Sequence, residues 1–170
     1  DPKIFQGVKA IFHLAGKNIF ARWNKKIKSE IYNSRILSTR NLIKALNQLP
    51  EYERPQILIS ASAVGYYGDK REEEIDESAS AGNGFLAKVC IDWEKETQKA
   101  EELGFRVVQV RIASVLGQGG ILDKIIPIYK LRLGGPLGDG KQWFPWIHLQ
   151  DIVGIYLFVL ENDNISGAVN

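Results

Sequence analysis

The chain has 170 residues, of which 45% are hydrophobic and 25% are charged, values that are ordinary for a globular domain. Its net charge of +2 comes from basic residues interleaved with acids, which argues against nucleic acid or an acidic membrane as a partner. The single cysteine, Cys90, excludes an internal disulfide, and no apolar run approaches the ~20 residues of a membrane helix. We therefore expect a cytoplasmic protein. Because the chain begins at Asp1 and contains no methionine, we also expect residues upstream.

Three short apolar runs predict strands that are buried on both faces, as in parallel sheets; they are residues 8–14, 56–60 and 106–112. A helix is predicted after the first run, from an Asn24 cap to about Leu49. A second helix is predicted from about Gly84 to Leu103, where Gly104 ends it. The segment 61–80 between them reads as a long loop, and long ordered loops are usually functional.

The last third of the chain continues the alternation of turns, helices and strands. We predict a glycine-rich turn at 117–120, a helix over 121–133 that contains Pro127, an extended segment at 143–148, a helix over 150–160 and a strand at 167–170. The whole pattern predicts an α/β fold with a doubly wound parallel sheet. We expect residues 1–120 to belong to this sheet domain. Residues 121–170 would begin a smaller substrate-side region whose 150–160 helix packs back on the sheet.

Polar and small residues follow each predicted strand, where such sheets bind ligands. They are His13-Leu14-Ala15-Gly16 after the first strand, Ser60-Ala61-Ser62 with Tyr66 and Tyr67 after the second, and Arg111-Ile112-Ala113-Ser114 after the third. Each motif has an alternative interpretation: a tight turn, serines that bond the local backbone, or an arginine held in a structural ion pair. His148 is either an acid/base group or a helix cap.

Three other kinds of site are excluded by spacing. The sequence contains no G-x-S-x-G elbow and no G-x-x-x-x-G-K-[ST] loop. Its two histidines and one cysteine are scattered, so we expect no metal site.

Taken together, the motifs resemble an extended short-chain dehydrogenase/reductase. More closely, the chain resembles the atypical epimerase-family group often named nucleoside-diphosphate-sugar epimerase or cell-division-inhibitor-like. The resemblance rests on seven blocks in order: HLAGKNI, ARW, SRILSTR, ISASAVGYYGD, GFLAKVCIDWE, VRIASVLGQGG and FPWIHLQDIV. It implies a Rossmann-type, three-layer sheet that holds NADP, with NAD as the alternative. The N-terminal G-x-x-G-x-x-G phosphate-binding unit of that fold is missing from this sequence.

The resemblance also implies roles for the strand-end residues. Leu14, Ala15 and Gly16 would lie along the adenine-ribose side of the cofactor, and Arg111, Ala113 and Ser114 would pass its nicotinamide. Ser60 and Ala61 would complete the cofactor contacts. The second strand would also carry an active-site hydroxyl, for which Ser62 is the candidate.

One departure from the family pattern concerns the catalytic pair. Extended reductases use a Tyr and a Lys four residues apart, in which Tyr exchanges the proton. In this sequence the two positions fall near Phe85 and Val89, which carry neither proton nor charge. We therefore predict Ser62 with Tyr66 or Tyr67 as the catalytic group, and we expect Cys90 to be packed rather than reactive.

Two functions follow from these observations. The first is an NAD(P)-binding epimerase or oxidoreductase that acts on an unknown small molecule, for which a sugar nucleotide is the candidate, without the usual Tyr/Lys pair. The second is a non-catalytic NADP(H)-binding sensor or regulatory partner of the cell-division type. A small-molecule substrate is the expected partner, and a homodimer is left open.

Overall fold

The structure, a computed structural model, describes residues 2–136 and 138–170. Its strands and helices follow in the order β1 (Ala10–His13), α1 (Lys25–Asn47), β2 (Ile57–Ala63), α2 (Phe85–Gln98), β3 (Arg106–Ile112), β4 (Ser114–Leu116), α3 (Leu122–Lys130), β5 (Trp146–His148), α4 (Leu149–Glu161) and β6 (Gly167–Val169). Short 3-10 turns lie at Pro2–Phe5, Glu51–Glu53, Val64–Tyr66 and Glu101–Leu103. In the described part of the chain, no helix is long and apolar enough to cross a membrane.

Strands β1, β2, β3 and β6 form one sheet in that spatial order, and every neighbouring pair is parallel. The α/β class and the parallel sheet are therefore confirmed. Strands β4 and β5 form a separate two-stranded parallel sheet.

Helices cover both faces of the main sheet. On one face, Leu46 of α1 packs with Leu58 of β2 and Val107 of β3. On the other face, Ile152 and Val159 of α4 pack with apolar side chains of β2 and β3. The result is the three-layer arrangement that the sequence predicted. The predicted division of the chain at residue 120 stays a prediction.

Local signals in the sequence set several boundaries. Asn24 caps α1 as predicted, because its side chain accepts a hydrogen bond of 2.9 Å from the Ile27 N–H. Gly104 has a φ of 88°, a conformation that glycine adopts without steric cost, and it closes the segment after α2 as predicted.

Several predicted boundaries were wrong, and two of them concern the elements that carry the site. Helix α2 ends at Gln98 rather than Leu103, since the Ala100 N–H bonds the Thr97 carbonyl and tightens the backbone into a 3-10 turn. Strand β2 runs three residues past the prediction, because its pairing with β3 continues to Ala63 opposite Ile112. Ser62, which was predicted to lie in the loop, therefore belongs to the sheet.

Candidate active site at the carboxyl edge of the sheet

The predicted site motifs meet at one edge of the sheet. The parallel register places His13 opposite Ser60 and Ser62 opposite Arg111, so the carboxyl ends of β1, β2 and β3 lie side by side. Ligands bind at this edge in open parallel sheets. Gly16, Ser62 and Ser114 therefore lie at the same end of the fold, as the sequence predicted.

Two adjoining hollows open at this edge, and both are lined by Val64 and Asn170. The larger, about 1420 Å³, lies between the loop after β2 and the segment before β5; Tyr67, Trp143 and Phe144 line it. The smaller, about 210 Å³, is lined by Arg111, Ala113 and Trp146, among others. Neither Gly16 nor Ser62 lines these two hollows.

A buried ion pair lies beneath the hollows. Arg111 of β3 donates from Nε and Nη2 to the two carboxylate oxygens of Glu94 in α2, at 3.0 and 2.9 Å. Both side chains are almost fully buried. Burial lowers the pKa of Arg111, but hydrogen bonds to Glu94 and Tyr67 outweigh it and raise that pKa above its usual range. The ion-pair interpretation of Arg111 is therefore confirmed, while its predicted contact with a cofactor stays a prediction.

The ion pair connects two of the three predicted catalytic residues. The Ser62 hydroxyl donates to Glu94 Oε1 at 2.5 Å, and Arg111 Nη1 donates to the Tyr67 oxygen at 2.6 Å. Tyr67 in turn donates its own proton to Asn170 Oδ1 at 2.7 Å. The third residue, Tyr66, stacks its ring on the Arg111 guanidinium, with 3.6 Å between Cζ and the ring centroid.

The other residues predicted to bind the cofactor differ in their exposure. Leu14, Ala15 and Gly16 are exposed after β1, so this strand end is open to a ligand. Ser60 is fully buried, and its hydroxyl oxygen lies 3.4 Å from the Thr97 hydroxyl oxygen of α2. Its side chain therefore faces the helix rather than either hollow.

Three further predicted residues lie beside the strand ends. Ala61 is buried within β2, and Ala113 lines the smaller hollow. Ser114 belongs to β4, where its N–H donates to the Pro145 carbonyl at 3.1 Å. Direct contact of any of these residues with a cofactor stays a prediction.

Phe85 and Val89, which stand where the usual Tyr and Lys are expected, both pack against other side chains. Phe85 stacks edge-on against Trp23, with 5.5 Å between ring centroids. Val89 is 3% exposed and belongs to an apolar cluster with Trp93. Lys88, one residue away, pairs with Asp92 on the surface of α2 at 2.7 Å. None of these side chains joins the hydrogen-bond network of Ser62 and Tyr67.

Cys90 lies behind the site and is buried, as predicted. Burial, together with the charge of Glu94, raises the pKa of its thiol to about 11. The thiol is therefore protonated at neutral pH and is a poor nucleophile.

Sequence reasoning missed three members of the network. Glu94 belongs to one of the family blocks, but the sequence indicates no role for it, and Asn170 is predicted only as part of a strand. Glu77 accepts from the Asn170 N–H at 2.9 Å through its side chain and from Arg111 through its carbonyl. One signal could have indicated Glu94: an acid on the buried face of α2 needs a buried cation. His148, by contrast, caps α4 by accepting from the Gln150 N–H, which is the alternative left open for it.

Comparison with known proteins places the chain among epimerase-like proteins. Residues 2–170 match the model of the NAD dependent epimerase/dehydratase family. The chain is 43% identical over 166 residues to the epimerase family protein SDR39U1 homolog, chloroplastic, of Arabidopsis thaliana. This match covers 97% of the chain and 48% of that relative, so the chain spans about half the length of the curated relatives it matches.

Two solved structures share the fold and more than 30% of the sequence. The human epimerase family protein SDR39U1, solved with NADPH, is 32% identical with a TM-score of 0.81; the match covers 95% of this chain and 56% of that one. The nucleoside-diphosphate sugar epimerase from Corynebacterium glutamicum is 35% identical with a TM-score of 0.85, covering 100% of this chain and 35% of that one. The Rossmann-type sheet predicted from the resemblance is therefore confirmed.

Proposed function

The chain belongs to the NAD dependent epimerase/dehydratase family, and we propose that it forms part of an NADP(H)-binding oxidoreductase or epimerase that acts on a small molecule. The cofactor supplies a hydride acceptor or donor when it is bound. The NADPH in the human SDR39U1 structure supports the choice of cofactor. The sugar nucleotide as substrate class is supported by the name of the Corynebacterium neighbour.

The residues at the carboxyl edge fit a dinucleotide. Leu14, Ala15 and Gly16 present an exposed strand end with small residues, so the backbone there is open to close approach. A Cβ on Gly16 would lie 2.9 Å from the Arg35 guanidinium carbon, so only glycine fits here without displacing that side chain. We propose that this strand end and the Ala113-Ser114 segment hold the cofactor.

One observation carries the proposed chemistry: Tyr67 lines the larger hollow, and its hydroxyl oxygen accepts a hydrogen bond from the Arg111 guanidinium. A proton transferred to or from a substrate oxygen would leave or join the phenol oxygen. Arg111, 2.6 Å away, would balance the negative charge on that oxygen, much as Lys does in the usual pair. We propose Tyr67 as the proton carrier.

Ser62 and Glu94 would position Tyr67 and Arg111 and would not react themselves. The Ser62 hydroxyl is buried and donates to Glu94, and Glu94 fixes the Arg111 guanidinium by accepting from Nε and Nη2. Tyr66 holds the same guanidinium through its ring. In this arrangement the Tyr67 phenol is oriented by four side chains, those of Ser62, Glu94, Tyr66 and Arg111.

The test combines cofactor binding with turnover. Hydride exchange between NADPH and a panel of sugar nucleotides and small carbonyls would identify a reacting substrate. We expect Tyr67→Phe to lower kcat on that substrate by ~10²–10⁴-fold while the Kd for NADPH stays within twofold. Tyr52→Phe is the matched control, since Tyr52 is 86% exposed and lies in a remote 3-10 turn. Full activity of Tyr67→Phe would disprove the role of this phenol.

A second candidate function is a non-catalytic NADP(H)-binding regulator. The observation that favours it is the apolar packing of Phe85 and Val89 where the usual Tyr and Lys stand. Tight NADPH binding without hydride exchange on any member of the panel would support it.

A further inference from the structure

Two aromatic rings are exposed in the segment that follows β1. Phe20 is 51% exposed and Trp23 is 38% exposed. Trp23 is held in place from two sides, because its Nε1–H donates to the Ile19 carbonyl at 2.8 Å and its ring packs edge-on against Phe85. The indole is therefore fixed and yet open to a ligand, so it loses little conformational freedom when a ligand binds.

A lysine ammonium lies over each of these rings. Lys28 Nζ is 5.9 Å from the Trp23 ring centroid and 5.4 Å from the Phe85 centroid. Lys124 Nζ, which comes from α3, is 5.4 Å from the Phe20 centroid. Contacts of this kind are favourable, but the positive charge remains. We call these five side chains the aromatic–basic rim: Phe20, Trp23, Phe85, Lys28 and Lys124.

The two ammonium groups of the rim have no acid beside them. Among residues 2–136 and 138–170, neither Lys28 nor Lys124 forms an ion pair, whereas Lys17 pairs with Glu30. The sequence from residue 17 to residue 29 contains basic residues but no acid. The surface beside the rings is therefore positive and attracts anionic groups.

The rim lies at the carboxyl edge of the sheet. Its segment leaves the carboxyl end of β1, and Phe85 begins α2 directly after the loop that starts along the larger hollow. The contact between Phe20 and Lys124 joins the same segment to α3. The rim therefore belongs to the same end of the fold as Tyr67, the proposed proton carrier.

The larger hollow carries the opposite charge. Its lining contains more acids than bases: Asp69, Glu72, Glu73, Glu74 and Asp139 against Lys70, Arg71 and Lys141. Because like charges repel, the negative group of a ligand avoids this wall and turns towards the basic side chains. The two surfaces together orient an anionic ligand at this edge.

We infer that the aromatic–basic rim binds the part of the substrate that carries a planar ring and a negative charge. The ring stacks on Trp23, and the anion pairs with Lys28 or Lys124. This inference names a substrate class for the proposed function and rests on it in that respect. Two sources share this chemistry: the base and diphosphate of a sugar nucleotide, and the ring and carboxylate of an aromatic acid.

Calorimetric titration of the protein with paired probes tests this inference. Uridine diphosphate is compared with pyrophosphate, and phenylpyruvate with pyruvate, so the members of each pair differ in the ring. We expect one ring-bearing probe to bind about tenfold more tightly than its ring-free counterpart. A preference for uridine diphosphate assigns a nucleotide, and a preference for phenylpyruvate assigns an aromatic acid. Equal binding within both pairs would overturn the inference.

Substitutions in the rim identify the residues that bind. Trp23→Leu should weaken the preferred probe about tenfold, while Trp23→Phe, which keeps a ring, should retain most of the affinity. Lys28→Gln should weaken it about two- to fivefold and reduce its dependence on salt. Lys28 is exposed, so this variant keeps the test decisive even if Trp23→Leu fails to fold.

Lys26→Gln is the matched control. Lys26 is an exposed lysine on the same turn of α1, but in the described part of the chain it lies over neither Trp23 nor Phe85. Its substitution should leave the affinity for the preferred probe unchanged. An equal loss in Lys26→Gln and Lys28→Gln would show a general attraction to basic residues and would contradict the rim as a site.

Titrations with and without saturating NADPH separate this inference from the proposed function. If NADPH does not bind but the preferred probe does, and its affinity depends on Trp23, the proposed function fails while the rim stands as a ligand site. If NADPH binds and no probe senses Trp23 or Lys28, the inference alone is wrong. If the preferred probe and NADPH compete, the rim belongs to the cofactor site, and the inference is again wrong.

Discussion

The two faces of the central sheet are built from different kinds of side chain. Towards α4, β2 and β3 present Ile59, Val108 and Val110, which pack with apolar residues of that helix. Towards α2, the same strands present Ser60, Ser62, Gln109 and Arg111, all of them buried. Strands that are buried on both faces are usually apolar throughout. Here the alternation of polar and apolar residues marks a buried polar layer rather than a face exposed to water.

Each of these four side chains has a hydrogen-bond partner, and most of the partners belong to α2. The Gln109 amide donates to the Glu94 carbonyl at 2.8 Å, and the Thr97 hydroxyl donates to the Trp93 carbonyl at 3.0 Å. Buried polar groups tolerate little movement, because a lost hydrogen bond leaves an unsatisfied group in a low-dielectric interior. The apolar face supplies stability, and the polar face fixes where α2 and the active-site side chains lie.

The largest effect is expected from a substitution that disrupts the polar face. Glu94→Gln removes the charge that compensates Arg111 while keeping the shape of the side chain. We expect the free energy of unfolding to fall by about 3–5 kcal/mol, because the substitution leaves a buried guanidinium without an acid. Urea denaturation measures the loss, and NADPH-dependent turnover should fall with it, since the guanidinium loses its anchor.

The control for this variant is the same substitution in an exposed ion pair. Glu30→Gln breaks the contact with Lys17, whose side chain is 40% exposed. Exposed pairs contribute little to stability, because water and salt screen them. If both variants lost the same small amount of stability, the buried pair would not be what holds this face together.

A somewhat smaller effect is expected on the apolar face. Ile59→Ala deletes a fully buried side chain between β2 and α4, and we expect a loss of about 2–4 kcal/mol in the free energy of unfolding. Ile59→Val should cost about 0.5–1.5 kcal/mol. Because Ile59 faces away from α2, the Kd for NADPH should stay unchanged in both folded variants. A weakened Kd in Ile59→Val would show that the two faces are not independent.

The sequence predicted this fold well where a single element carries its own signal. Asn24 at the start of α1 and Gly104 before β3 mark boundaries locally, and the apolar run of β3 gave its bounds correctly. The end of β2 was missed because the segment from Ala61 onward, with Ser62, resembles a loop until the partner strand is known.

The site was predicted less completely, for a physical reason. Arg111 was recognised as needing a partner, but Glu94 is supplied by a helix whose docking angle no local pattern encodes. Arg35 lies on a helix of mixed polarity, so its position under Gly16 depends on how the 14–24 segment folds back over α1. Contacts between distant segments depend on register and packing, and one sequence does not specify these.

The smallest effect concerns His13, which belongs to the polar face at the edge of β1. Its ring is buried, and Nε2 lies 2.8 Å from the Thr39 hydroxyl. That hydroxyl donates its only proton to the Arg35 carbonyl at 2.7 Å, so the His13 Nε2–H is the donor to Thr39. Burial lowers the pKa of His13 below 6.5 in the folded state. The folded protein therefore holds this ring neutral under conditions in which the unfolded chain protonates it.

The sign of the pH dependence follows from that difference. As the pH falls below about 6.5, the unfolded chain takes up a proton that the folded state does not, so the free energy of unfolding decreases. The decrease is at most about 1.4 kcal/mol per pH unit and stops where the folded ring itself titrates. Urea midpoints measured between pH 7 and pH 5 should show this slope, and His13→Gln should reduce it. A slope that persisted in His13→Gln would assign the proton to other groups.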